Sequence, residues 1–165
     1  MLIKVQAEDF DPGVELARLE GLGVGAVASF IGLVRGDDGL TAMTLEHYQA
    51  MTETALARIA TEACDRWPLA DVTVIHRFGR LAPGDRIVLV GTASSHRAAA
   101  LESCAFLIDW LKTEAPFWKR EEWMDGSTRW VEARIADDAA KARWDAGASV
   151  YPLRNKATAA SRSNR

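Results

Sequence analysis

The chain has 165 residues, 48% hydrophobic and 26% charged, with 20 Lys and Arg against 23 Asp and Glu for a net charge of −3. That length suits one compact domain that buries a core without disulfides or metal staples. No apolar run approaches the roughly 18 to 20 residues of a membrane-spanning helix, and the mildly acidic balance argues against a general nucleic-acid binder.

The opening MLIKVQAEDF lacks a basic region followed by an apolar stretch and a cleavage site, so a cytoplasmic location is expected. Cys64 and Cys104 form no CxxC pair and have no histidines at ligand spacing. They read as small core residues on helical faces, and neither a metal nor another cofactor is expected.

Residues 2–6, LIKVQ, alternate and predict a first strand. Asp11 and Pro12 then supply an N-cap and a first-turn proline for a short helix through about Glu20, which GLGVG breaks. Residues 24–34 and 43–48 read as strands paired around the polar loop RGDDG. From Met51 to Trp67, Leu56, Ile59 and Ala63 recur at helical spacing until Pro68 ends the pattern.

From Asp71 to Phe78, Val72, Val74, His76 and Phe78 alternate against Thr73, Ile75 and Arg77; the turn APGD and the apolar strand RIVLVGTA follow, giving two adjacent strands. Ser94 or Ser95 is positioned to cap a long helix with an inner seam of Leu101, Cys104, Ile108 and Leu111, ending before Pro116. FWKREEWMDGSTRWVEAR reads as a hairpin around DGS, and a last helical piece spans about 137–144. Residues 1–144 are expected to form the single domain and 145–165 a disordered tail. The mixture of helix-crossed and hairpin-joined strands favours a mixed α/β or α+β domain.

GLGVGA at 21–26 fits a loose dinucleotide fingerprint, but it follows a helix and precedes a strand, the reverse of the required context. Ser94, His96 and nearby acids lack a nucleophile elbow and make a poor hydrolase triad. His47, His76 and His96 share no metal-binding spacing, and His76, in a face of valine and phenylalanine, reads as a packed, hydrogen-bonded histidine. SSHRAAALE is more informative: a helix start presents unpaired N–H groups, and His96 and Arg97 add donors suited to a phosphate. Alone, it reads more readily as a solvated first turn, as Lys112 and Lys119 of LKTEAPFWKRE read alone as surface lysines.

Together these segments carry a resemblance. Through LTAMTLEHYQAMTE, RWPLADVTVIHRFGRLAPGD, SSHRAAALE, LKTEAPFWKRE and RWVEAR, the sequence resembles the molybdopterin synthase large (catalytic) subunit family, in that family's order and over about three quarters of the chain, from Gly23 to Trp144. The resemblance implies a hammerhead-like α/β domain with an added small antiparallel β subdomain. It implies a sulfurtransferase that moves sulfur from the C-terminal Gly-Gly thiocarboxylate of a small ubiquitin-like carrier subunit onto cyclic pyranopterin monophosphate, forming the dithiolene of molybdopterin. It further implies a homodimer of this chain within a heterotetramer.

Carried over by position, Lys112 and Lys119 match the family's catalytic lysines; Arg35 in FIGLVR, the pair His96 and Arg97, and Arg134 in WVEAR match substrate-binding residues, Arg134 being offered across the dimer. Such a cluster suits the reaction, since two anionic reactants repel unless cations neutralise them. A glycine-ended tail needs a narrow channel, for which Phe30, Phe117 and Trp118 are candidate walls, though they serve equally as ordinary core. RGDDG, EWMDGST and residues 145–165 depart from the family pattern without removing a named residue. A docking-only relative of the same fold, or an unrelated anion- or RNA-binding module, would use the same cations.

Overall fold

The computed structural model describes residues 1–36, 39–131 and 135–145. In chain order the elements are β1 (Leu2–Gln6), α1 (Pro12–Glu20), β2 (Ala26–Leu33), β3 (Leu40–His47), α2 (Gln49–Arg66), β4 (Leu69–Arg77), β5 (Gly79–Leu81), β6 (Arg86–Ser94), α3 (Arg97–Thr113), β7 (Phe117–Trp123), β8 (Thr128–Trp130) and α4 (Ile135–Asp145). They build two four-stranded sheets, one ordered β1-β4-β6-β2 and the other β5-β3-β7-β8. β1 runs parallel to β4, and the remaining pairs are antiparallel.

Local chemistry sets several of these boundaries. Asp11 Oδ1 accepts from the backbone N–H groups of Gly13 at 2.8 Å and Val14 at 3.3 Å, while Pro12 loses nothing at a position whose N–H has no helical partner. α2 ends at Arg66 because Trp67 turns extended ahead of Pro68, as the residue before a proline prefers.

The first sheet buries both faces. On one, Val72, Val74, Val88 and Val90 pack under Leu56, Ile59 and Ala63 of α2 and Cys104, Leu107 and Trp110 of α3. On the other, Phe10 packs on Ile75 and Leu89, while Leu19 of α1 is fully buried close to Gly91 of β6. The period of two on β4 therefore puts His76 on the side of α2 and α3, with Val72 and Val74. The second sheet has its own small core of Val34, Leu40, Leu45 and Leu81, and Ile87 packs against both cores where the sheets meet.

Three expectations are corrected. The strands flanking RGDDG do not pair with each other: β2 pairs with β6, whereas β3 pairs with β5 and β7, so the chain changes sheets across that loop. The cap of α3 is His96 with extended backbone rather than Ser94 or Ser95, and Ser94, the last residue of β6, donates to the Pro68 carbonyl at 2.8 Å. The α3 seam differs at one residue: Cys104 faces the core as expected and Ile108 and Leu111 pack against it, but Leu101 is 43% exposed, and Ala100, Leu107 and Trp110 complete the buried stripe. The small strand β5, which the APGD turn had masked, forms the edge of the second sheet. The hairpin around DGS is present as β7 and β8, with Gly126 at φ 80 in the turn. Most of the expected tail lies outside the described residues.

Candidate functional site

Where the end of β2, the last turns of α3 and the strands β3 and β7 converge, the structure leaves a cavity of about 580 Å³. Its apolar wall includes Phe30, Met43, Ile108, Leu111 and Phe117. Its ionisable wall comprises Arg35, Lys112, Lys119, Glu121 and His76.

Each cation reaches the cavity by a different route. Arg35 stands two residues past the end of β2, where the chain leaves the first sheet. Lys112 stands in the last turn of α3, where a positive charge complements the helix dipole. Lys119 lies in β7 opposite Leu45 of β3, and the alternation of that strand turns Phe117, Lys119 and Glu121 to the same side. Trp118 consequently faces the other way; it is 46% exposed, meets Tyr48 edge-on at 5.9 Å and does not line the cavity.

The floor of the cavity is set by a ring stack. The imidazole of His76 lies on Phe117 with centroids 3.7 Å apart and planes at 14°, and His47 stacks on the same Phe117 at 5.6 Å. His76 is 5% exposed. Burial drives its pKa from the ordinary 6.5 down to about 4, with the charge of Lys119 and of His47 pushing the same way against a backbone hydrogen bond that favours the charged form.

His96 and Arg97 are elsewhere. They open α3, whereas Lys112 closes it, and at 1.5 Å per residue Arg97 lies about 22 Å from Lys112 along the helix. Within one chain they therefore do not share the cavity with the lysines. Arg134 lies outside the described residues, between β8 and α4.

Of the residues singled out from sequence, the structure thus brings together Arg35, Lys112, Lys119, Phe30 and Phe117. Glu121 was not singled out, and His76, read as a packed, hydrogen-bonded histidine, is that and lines the cavity as well. The signal for Glu121 was its parity with Phe117 and Lys119; for His76, no local pattern distinguishes a core histidine from one at a cavity wall.

The family model described as MoaE protein matches residues 5–114. A molybdopterin synthase catalytic subunit from Pseudomonas aeruginosa is 53% identical over 150 residues, covering 88% of this chain and 99% of the relative. A solved structure of a molybdopterin biosynthesis MoaE protein from Burkholderia ambifaria is 54% identical with a TM-score of 0.75, covering 87% of this chain and 97% of its own. A complex of subunits 1 and 2 of the molybdopterin-converting factor from Helicobacter pylori contains a chain of the same fold, with a TM-score of 0.69 at 22% identity over 81% of this chain and 92% of that one.

Proposed function

Because the chain belongs to the MoaE family of molybdopterin synthase catalytic subunits, we propose that the cavity between α3 and β7 is where sulfur passes from a carrier thiocarboxylate to cyclic pyranopterin monophosphate. The observation that carries this reading is the convergence of Arg35 from the loop after β2, Lys112 from α3 and Lys119 from β7 on one cavity with an apolar wall.

Both reactants are anions. Two unit charges brought to 4 Å repel by about 4 kcal/mol at an effective dielectric of 20, so fixed cations are the main requirement of the site. Arg35, with its planar fork, suits the phosphate; the compact ammonium groups of Lys112 and Lys119 draw in the thiocarboxylate and assist proton movement as sulfur is added. The thiocarboxylate belongs to a small ubiquitin-like partner subunit whose Gly-Gly end is slim enough to thread past Phe30 and Phe117. A thiocarboxylate that gives up its sulfur regains a carboxylate oxygen from water, so the cavity must admit water after each transfer.

The assembly follows from the remaining cations. His96 and Arg97, about 22 Å from Lys112 along their own helix, serve the same pterin only when a second copy supplies them, and Arg134 belongs with them. Two copies of this chain, each with one carrier subunit, make the working unit, which acts in the cytoplasm. Among the described residues no helix is long and apolar enough to cross a membrane.

The test combines purified chain, thiocarboxylated carrier and precursor, and follows molybdopterin by the fluorescence of its oxidised derivative. Product that requires all three components supports the reading. Carrier binding without product would reduce the chain to a docking subunit.

A further inference from the structure

The cavity holds two ionisable groups to which the resemblance assigns no role, Glu121 and His76, and of these His76 is the more firmly fixed. His76 belongs to β4, between Val5 of β1 and Val88 of β6, and its ring is nearly buried, yet the residue forms part of the cavity wall. Its Nδ1 is 2.8 Å from the Arg77 carbonyl oxygen. A carbonyl only accepts, so Nδ1 carries the proton, and in the neutral ring Nε2 is left with the lone pair.

One further contact fixes the ring. Phe117 covers one face at 3.7 Å, which leaves little freedom about the ring plane. The groups that bear on it electrostatically are Lys119 from β7 and His47 from β3, with Lys112, Arg35 and Glu121 on the same cavity wall. A histidine needed only to fill space would be served as well by Phe or Leu beside Val72 and Val74. A polar ring in this position entails the cost of a buried hydrogen-bonding group.

We infer that His76 is a positioning residue of the sulfur-transfer reaction, acting through Lys119: its backbone-anchored, Phe117-stacked imidazole sets a nitrogen lone pair on the cavity wall that orients the lysine ammonium. This inference rests on the reading of the cavity as the transfer site. Neutrality of the ring is essential, because a second cation beside Lys119 would repel it rather than orient it. Burial and the nearby charge of Lys119 keep the imidazole neutral down to about pH 4.

The experiment compares His76→Phe, which keeps the ring and its stack but has no lone pair, with His76→Gln, which keeps a polar acceptor without the ring. Both are assayed in the complete complex with thiocarboxylated carrier and cyclic pyranopterin monophosphate, alongside Lys119→Ala. Misplacing a reacting group costs up to about 100-fold. His76→Phe should accordingly lose about 10- to 100-fold in kcat, with KM for both reactants and the thermal midpoint nearly unchanged, and His76→Gln should recover part of the loss.

A His76→Phe enzyme with wild-type kcat, beside an inactive Lys119→Ala, would overturn the role of His76 alone. An active Lys119→Ala would instead overturn the reading of the cavity. Nitrogen NMR of the wild-type complex gives a check that needs no variant: His76 Nε2 should be unprotonated at neutral pH, and a doubly protonated ring would contradict the inference.

Discussion

The indole of Trp144, near the end of α4, donates through Nε1 to Asp109 Oδ2 of α3 at 2.8 Å, and the Arg143 guanidinium reaches the same oxygen at 2.6 Å. The Trp144 ring also stands edge-on to Trp67 and Phe106, and Arg66 donates to its backbone carbonyl at 3.1 Å. A helix at the end of the described chain is thereby clasped to α2 and α3 by a single buried aromatic, 5% exposed.

Truncating such a residue removes its burial and leaves Asp109 without the indole. Trp144→Ala is expected to lower stability by about 3 kcal/mol, measured by urea denaturation.

Gly25 makes the loop before β2 fit against the end of β6. A Cβ there would run into the Ser95 carbonyl oxygen and sit 3.2 Å from its carbon, and a backbone group cannot swing aside as a side chain can. Gly25→Ala should cost about 3 kcal/mol. Since Ser95 immediately precedes the cap of α3, the proposed anion-binding role of His96 and Arg97 adds that this variant should raise KM by more than a Gly21→Ala control does.

Stability should depend on pH through His76. Its pKa of about 4 in the fold, against an ordinary 6.5, means that the unfolded chain binds more protons between those values. The contribution is complete above pH 6.5 and is lost as pH falls toward 4, amounting to about 3 kcal/mol at most. Denaturation curves for wild type and His76→Phe should diverge over that window and run parallel above it.

The assembly reading makes its own prediction. Lys119→Ala and Arg97→Ala homodimers should each turn over slowly, and mixed dimers formed by subunit exchange should recover activity because one of their two sites is intact. Mixed dimers without recovery would mean that both residues serve one chain.

Much of the first sheet was legible because its signals are local. Asp11 with Pro12 marks a helix start, and the alternation of Val72, Val74 and His76 marks a strand buried on both faces. The exchange of sheets between β2 and β3 was not legible: either strand alternates acceptably against the other, and their true partners, β6 and β7, lie far along the chain. Leu101 was misplaced on the inner face of α3 because Ala99, Ala100 and Ser103 are small, so packing against the sheet, not side-chain size, decides how far the buried stripe extends. Arg35, Lys112 and Lys119 were found through motif resemblance, since each alone looks like a surface cation. The separation of His96 and Arg97 from them follows from the length of one helix, which the sequence contains but which mattered only once the cavity was located at its far end.

The most direct measurement is single-turnover sulfur transfer by Lys119→Ala in the assembled complex, with saturating precursor and thiocarboxylated carrier. A fall of about 100-fold or more, with carrier affinity unchanged, is the expected result. Transfer at the wild-type rate would contradict the assignment of the cavity between α3 and β7 as the place where the chemistry occurs.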